Sequence, residues 1–205
     1  GVFDGASALP LAISKAVGPL VITTLALPFI HFYIWLLVDN TADSLIDPLT
    51  SVANRRGMLE RLPGLAGPGG DIAVIVIDVD SFKAVNDSHG HAVGDEVLRR
   101  TAAHLVEAAR SSGAPAVVAR LGGEEFAIVT GTGLADALAI AEWAQTAISQ
   151  VSQQPPITVS IGVAAGTGRR LDDFVRLLDT ADAAMYSAKE SGGARIALAP
   201  DDRAA

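Results

Sequence analysis

Residues 116–129 read AVVARLGGEEFAIV, two short apolar runs separated by a glycine pair and two glutamates. Adjacent glycines supply the positive φ angles of a tight connection, so this stretch predicts a β-hairpin with strands at Ala116–Ala119 and Phe126–Val129. Glu124 and Glu125 would lie side by side at its tip, with no obvious salt-bridge partner nearby in the sequence. Such a tip is either a solvated acidic turn or part of a binding site.

A second acidic segment favours the binding site. Ile72–Ile77 reads IAVIVI, a continuous apolar run that predicts a central strand buried on both faces, and Asp78-Val79-Asp80 follows it. A carboxylate directly after such a strand is costly to bury unless it is paired or bound to a metal. Oxygen ligands from two strand ends are how Mg²⁺ is usually held beside a nucleotide. Asp78, the Val79 carbonyl and Glu124 are therefore candidate metal ligands.

These motifs resemble those of the diguanylate cyclase (GGDEF) family, here in a GGEEF variant at residues 122–126. The resemblance extends from about Asp47 to about Ile196. It includes DPLTSVANRR at residues 47–56, in which Ser51 replaces the family's usual glycine. It implies a homodimer that binds one GTP per subunit and condenses two GTP into cyclic di-GMP, with Mg²⁺ as cofactor and Mn²⁺ as the alternative dication.

The resemblance also implies roles for individual residues. It assigns catalysis to Glu124, Glu125 and Lys83; substrate binding to Phe82, Lys83, Asn86, Asp95 and Lys189; and Mg²⁺ coordination to Asp78, Val79 and Glu124. Guanine presents two donors, N1–H and the 2-amino group, so a carboxylate at Asp95 complements that edge and mismatches adenine. Asn86 would read the other edge, which favours GTP over ATP. Lys83 is either a solvated charge or a phosphate ligand, and the general base is left open, since a metal-bound Glu124 is a poor base.

The sequence departs from the family pattern in two places. After Lys189, the family's basic GRNR-like run is replaced by GGAR, with Gly193 at the phosphate-binding arginine and Ala194 at the asparagine. Arg195 is a candidate substitute. The RxxD product-inhibition motif is also missing, because Gly113–Ala116 fills its window. We therefore expect no primary inhibitory site of that kind.

Apolar periodicity predicts the remaining elements and the fold class. Pro48 suits the first turn of a helix with Asp47 as its cap. Helices are expected at Ser81–Asp87, from the segment at residues 89–96 to about Ser111, at Leu134–Gln150 and at Leu171–Glu190, the last with Met185 and Tyr186 in the core. Strands are expected at Ile157–Val163 and, at the sheet edge, Arg195–Leu198. This order predicts an α+β sandwich with a ferredoxin-like βαββαβ kernel and helices over one face or both. The resemblance implies the same fold, shared with nucleotide cyclases and polymerase palms.

The N-terminal segment predicts a membrane anchor. Ala16–Val38 is apolar and free of formal charge, and at about 1.5 Å per residue it would reach about 34 Å, enough to cross a bilayer. The alternatives are a buried helix of a larger domain or a signal peptide. We expect residues 1–46 to be a membrane segment and connector, 47–199 the catalytic domain in the cytoplasm at the inner membrane, and 200–205 a mobile tail. Because Gly1 is not methionine, we also expect a fragment with further spans upstream.

Composition narrows the function classes. The chain of 205 residues has no cysteine, which excludes disulfides and thiol catalysis, and its net charge of −8 argues against a nucleic-acid partner. The weakened GGAR run leaves one rival, a degenerate domain that binds GTP and regulates a partner without catalysis. A purely structural dimerisation module would leave the paired carboxylates unexplained.

Overall fold

The computed structural model describes residues 44–65, 70–149, 154–167 and 170–199. The described residues from Leu45 onward belong to one compact unit. Its elements in chain order are β1 (Ala53–Asn54), α1 (Arg55–Arg61), β2 (Asp71–Val79), α2 (Phe82–His89), α3 (His91–Ser111), β3 (Ala116–Gly122), β4 (Glu125–Thr130), α4 (Leu134–Ser149), β5 (Val159–Thr167), α5 (Leu171–Glu190) and β6 (Ile196–Leu198).

The six strands form one mixed sheet in the order β1-β3-β4-β2-β5-β6. The outer pairs β1–β3 and β5–β6 are parallel, and the three inner pairs are antiparallel. The inner four strands, with the helices that connect them, have the order of a βαββαβ ferredoxin-like kernel. This kernel puts β2 at the centre of the sheet, which explains its uninterrupted apolar sequence.

Helices cover both faces of the sheet. Because side chains alternate along a strand, Ile75, Ile77 and Val79 pack with α3 and α4, whereas Val74 and Val76 pack with α5. Both sets are almost fully buried. Each face therefore has its own core, and the α5 face is the one on which the even-numbered residues of β2 lie.

Two predictions made from local sequence are wrong. Residues 48–50 form a turn rather than the start of a helix, because Asp47 accepts hydrogen bonds from the backbone N–H and the hydroxyl of Thr50, at 2.9 and 2.6 Å. The cap of α1 is Asn54, whose side chain accepts from the Gly57 N–H at 2.8 Å. Met185 lies in the core as expected, but Tyr186 is 59% exposed because the next residue along a helix points to another face.

The membrane prediction at Ala16–Val38 and the predicted tail at 200–205 lie outside the described residues. Within the described ranges, no helix has the length and apolar character needed to cross a bilayer.

Candidate active site at the end of β2

The hairpin tip lies beside the end of the central strand. In the antiparallel pairing of β2 with β4, Asp78 is directly opposite Glu125. One residue further, the Val79 N–H donates to the Glu124 carbonyl at 3.3 Å. The two acidic segments predicted from sequence to meet are therefore neighbours in the sheet. Residues directly opposite across antiparallel strands have Cβ atoms only about 5 Å apart, so these carboxylates share one small region.

Lys189 completes this cluster from the other side. Asp78 continues the even-numbered face of β2, on which α5 packs, and Lys189 lies in the last turn of that helix. Its ammonium nitrogen is 2.8 Å from Asp78 Oδ1, and the two side chains are 36% and 3% exposed. The aspartate is thus almost sealed from water, with a lysine as its counter-ion.

The electrostatics of the cluster favour an added cation. Burial raises the pKa of Asp78; Lys189 opposes that shift, and the charges of Glu124 and Glu125 add to it, so the pKa ends above its ordinary value. Burial lowers the pKa of Lys189, but Asp78 and then Glu124 and Asp80 raise it by more. A single ammonium group therefore faces several carboxylates.

Arg120 braces the hairpin tip. Its Nε and Nη2 donate to the Gly123 carbonyl at 3.0 and 2.6 Å, and its Nη1 is 3.3 Å from both carboxylate oxygens of Asp47. Gly123 has a φ of 49°, a left-handed conformation that favours glycine. Burial opposes ionisation of Asp47, but its bonds to Thr50 and the Arg120 charge hold its pKa below the ordinary value. Arg120 was not among the residues predicted from sequence, because its partner is 73 positions away.

The predicted guanine-reading residues lie at the junction of α2 and α3. Asn86 is half-buried on α2, and Asp95 is half-buried in the first turns of α3. Gly94 lies where α3 is packed closely against α2. A Cβ added to it would collide with Asn86 Oδ1 and lie 3.2 Å from Phe82 Cζ. The two helices therefore approach closely because residue 94 has no side chain.

The other predicted residues vary in exposure. Phe82 is 9% exposed and packs in the α3–α4 core, so the ring itself is mostly covered. Lys83 and Glu125 are exposed, and Glu124 is half-buried. Within the described parts of the chain, no three His, Cys, Asp or Glu side chains are arranged to hold a metal by themselves. The predicted set has only two carboxylates, and its third ligand is a backbone carbonyl.

Asp80 is a further residue of this region that the sequence analysis did not assign. It follows β2 directly and accepts hydrogen bonds from β5 and from the turn after α5. The only signal for it in the sequence is its place two residues after Asp78.

Comparison with known proteins identifies relatives over most of this unit. Residues 44–195 match the family described as "Diguanylate cyclase, GGDEF domain". Response regulator PleD of Caulobacter vibrioides is 41% identical over 158 residues, which cover 71% of this chain and 34% of PleD. Diguanylate cyclase DgcP of Pseudomonas aeruginosa is 34% identical over 173 residues, covering 80% of this chain and 25% of DgcP. The chain thus spans about a quarter to a third of the length of these curated relatives.

A solved structure agrees with the fold. The GGDEF domain of DgcB from Caulobacter crescentus, in complex with c-di-GMP, has a TM-score of 0.65 and 29% sequence identity, covering 76% of this chain and 93% of that domain. The family match covers well over half of the chain and includes every predicted site residue. The chain belongs to the diguanylate cyclase GGDEF-domain family.

Proposed function

We propose that this chain is a diguanylate cyclase that condenses two GTP molecules into cyclic di-GMP and releases two pyrophosphates. The observation that carries this proposal is the meeting of Asp78 with the Glu124-Glu125 tip, with Lys189 2.8 Å from Asp78. A triphosphate needs its negative charges neutralised before a hydroxyl can attack it, and this cluster has the groups to do so with a metal. The structure of DgcB with c-di-GMP supports the product class.

The donor set fits a hard dication. The buried Asp78 carboxylate is paired with the Lys189 ammonium through Oδ1, and a dication would bind to this same carboxylate. Asp78, the Val79 carbonyl and Glu124 supply oxygen ligands, which Mg²⁺ prefers, and Mn²⁺ accepts the same set. When bound, the dication would neutralise the triphosphate and stabilise the leaving pyrophosphate.

Base selection would depend on Asp95 and Asn86. The Asp95 carboxylate would accept from guanine N1–H and the 2-amino group, and the Asn86 amide would bond to the other edge. Adenine has an acceptor at N1 and no 2-amino group, so ATP would leave a carboxylate facing an acceptor. A mismatch of buried polar groups can cost about 10⁴-fold in discrimination.

The remaining residues would bind the triphosphate. Lys83 on α2 and Lys189 in the last turn of α5 would supply positive charges, and Phe82 would support the helix that carries Lys83 and Asn86. Glu125, exposed at the tip, would assist a second metal or the attacking hydroxyl. Glu124, as a metal ligand, would be a poor proton acceptor.

The reaction would require two copies of the chain. One site holds one GTP, and each 3′-oxygen would form a bond to the α-phosphorus of the other GTP as the bond to the β-phosphate oxygen breaks. Each hydroxyl proton is lost and each pyrophosphate leaves. A two-fold dimer brings the sites face to face, and the membrane segment proposed at residues 16–38 would set its geometry from the inner membrane, with the catalytic domain in the cytoplasm.

The absent RxxD motif supports a lack of product inhibition at that site. Gly113–Ala116 has no side chain that could bind a guanine or phosphate. We therefore propose that cyclic di-GMP does not inhibit this domain through the segment before β3.

A second candidate is a GTP-binding regulator without turnover. It is favoured by one observation, the turn after α5, where Gly193 and Ala194 lack the side chains that the family uses around the phosphates. Arg195 lies next to that turn, and its Nε donates to the Gly193 carbonyl at 3.1 Å. We propose Arg195 as the substitute cation because it is the cation nearest in sequence to Gly193.

Pyrophosphate release separates the two candidates. The purified protein is incubated with GTP and MgCl₂, and pyrophosphate is measured alongside the oligomeric state. We expect turnover by the dimer, its loss by at least about 10²-fold in Glu124→Ala, and full activity in Glu107→Ala, an exposed glutamate on α3. GTP binding without pyrophosphate release by a confirmed dimer would establish the regulator instead.

A further inference from the structure

The carboxylate of Asp80 links three segments of the fold. Its Oδ2 accepts from the Thr158 hydroxyl at 2.7 Å and from the Ala194 N–H at 3.0 Å, and its Oδ1 accepts from the Ser160 hydroxyl at 2.6 Å. The Asp80 N–H also donates to the Thr158 carbonyl at 2.9 Å. The end of β2, the start of β5 and the turn after α5 are thereby joined at one side chain.

The turn that Asp80 holds has an unusual backbone. Gly192, Gly193 and Ala194 have consecutive φ angles of 107°, 69° and 52°. A left-handed conformation is unfavourable for alanine, so it needs support from its surroundings. The hydrogen bond from the Ala194 N–H to the Asp80 carboxylate supplies it, since a hydrogen bond to a charged group is stronger than one between neutral groups.

Gly193 permits this close contact. A Cβ at residue 193 would lie 3.1 Å from Asp80 Oδ1 and 3.3 Å from its carboxyl carbon. A long side chain there would have to displace the carboxylate or change the turn. Glycine in place of the arginine of the GRNR-like pattern thus leaves room for the Asp80 carboxylate to bind the backbone of the turn at Ala194.

The turn is rigidly connected to the helix end that carries Lys189. The N–H groups of Gly192 and Gly193 donate to the carbonyls of Lys189 and Ala188, at 3.0 and 3.1 Å. These hydrogen bonds link the position of Ala194 to that of the last turn of α5. Asp78 lies near the end of β2 and Asp80 directly follows that strand, so the segment that anchors the turn also carries the partner of the Lys189 ammonium.

We propose that Asp80 is a positioning residue that holds the turn after α5 against β2 and thereby sets where Lys189 reaches the triphosphate. It acts through Lys189 and does not touch the nucleotide. This inference rests on the proposed function, because it assigns Lys189 to the phosphates. It explains how a domain with Gly193 and Ala194 in place of the family's arginine and asparagine keeps its phosphate-binding lysine in place.

A double-mutant cycle on nucleotide binding tests this role. The full chain, as wild type and as each variant, is titrated calorimetrically in MgCl₂ with an α,β-methylene analogue of GTP. This analogue cannot release pyrophosphate. We expect Asp80→Ala to weaken binding about 10-fold, equivalent to about 1.4 kcal/mol. In a Lys189→Met background the same substitution should have less than about 2-fold effect, because residues that act as a unit are not additive.

Two further variants separate positioning from general loss of structure. Asp80→Asn keeps an amide oxygen for the Ala194 N–H, and its NH₂ can donate to a β5 hydroxyl, so we expect binding within about 3-fold of wild type. Asp182 is an exposed aspartate on α5, the helix that carries Lys189, and the Asp182→Ala variant should bind the GTP analogue as the wild type does. If Asp80→Ala does not fold, the Asp80→Asn result decides: near-normal binding supports positioning, and a loss as large as that of Lys189→Met overturns it.

The results that would overturn the positioning role of Asp80 differ from those that would overturn the cyclase proposal. Additive losses in Asp80→Ala and Lys189→Met, unchanged binding in Asp80→Ala, or no analogue binding by the wild type would each overturn the positioning role. Absence of pyrophosphate release from GTP would overturn the cyclase proposal alone, since the binding cycle does not depend on turnover.

Discussion

At the residue scale, the central feature of the site is the free-energy cost of burying the charged Asp78 carboxylate. Asp78 is 2% exposed, yet among the described residues it has one close counter-ion, Lys189, and it lies beside two glutamates. Burying a charge is costly unless it is well paired, so the ligand-free protein is destabilised at the position where we propose the metal to bind. Functional sites often retain such strain at the expense of stability.

Asp78→Asn should therefore stabilise the metal-free protein at neutral pH. The pKa of Asp78 in the folded chain lies above the ordinary value of 3.8. The folded state then binds more protons than the unfolded state, and stability falls as the pH rises from 3.8 through the folded-state pKa. We expect the variant to gain about 0.5–2 kcal/mol in free energy of unfolding at pH 7, measured by urea denaturation in EDTA.

The same variant should respond differently to metal. MgCl₂ with GTP should raise the unfolding temperature of the wild type and leave that of Asp78→Asn almost unchanged, because one ligand has lost its charge. Asp179→Asn, an exposed aspartate on α5, serves as control and should match the wild type in both measurements. A variant less stable than wild type at pH 7 in EDTA would show that the Lys189 pair outweighs the burial of Asp78.

At the element scale, two glycines set how closely helices approach their neighbours. Gly94 lets α3 lie against Asn86 on α2, and Gly162 lets α5 lie against β5. In both places a Cβ would overlap an atom of the neighbouring element. These contacts determine where the guanine-reading residues and Lys189 lie relative to the sheet.

Gly94→Ala should impair guanine recognition more than stability. The added Cβ would displace the Asn86 amide, so we expect the KM for GTP to rise about 10- to 100-fold, corresponding to the loss of a buried hydrogen bond worth about 1–3 kcal/mol. The preference for GTP over ATP should fall with it. Gly133→Ala, at a position with open space and no positive φ, should leave both unchanged. An unaltered ratio of GTP to ATP turnover would remove Asn86 from base selection.

Gly162→Ala should instead destabilise the fold. Its Cβ would collide with the Ala181 carbonyl and the Met185 backbone, neither of which can move without shifting α5. We expect a loss of about 1–3 kcal/mol or more in urea denaturation. In Gly166→Ala the nearest atom is Leu177 Cδ2 at 3.2 Å, a flexible side-chain end, so a smaller loss is expected. Equal losses in the two variants would contradict close packing at Gly162.

At the scale of the whole molecule, the proposed chemistry requires a second copy. One subunit has one Asp78 cluster, so it can activate one GTP, and the product contains two linkages. Turnover per subunit should therefore increase in proportion to protein concentration while monomers predominate, and become constant once dimers form. Initial rates of pyrophosphate release over a dilution series, with light scattering on the same samples, test this. A rate per subunit that is independent of concentration in a monomeric sample would exclude the two-fold mechanism.

Local sequence determined a large part of this protein. The continuous run in β2, the glycine pair at the hairpin tip and the periodicity of α5 predicted elements close to those observed, because propensity and burial pattern act over a few residues. Two acidic strand ends also indicated a shared site. The helix cap was predicted wrongly: Asp47 bonds to Thr50 in a turn, and Asn54 caps α1 instead. Asp and Asn both favour turns as well as helix N-caps, so local sequence does not distinguish the two roles.

Only the tertiary structure decided how the site is held together. The contacts of Arg120 with Asp47 and of Ala194 with Asp80 join residues 73 and 114 positions apart. The pairing of Lys189 with Asp78 likewise depends on which face of β2 receives α5. A periodic pattern predicts whether a residue is buried or exposed. Which residue it contacts depends on the order of strands in the sheet and on how closely glycines allow neighbouring elements to pack.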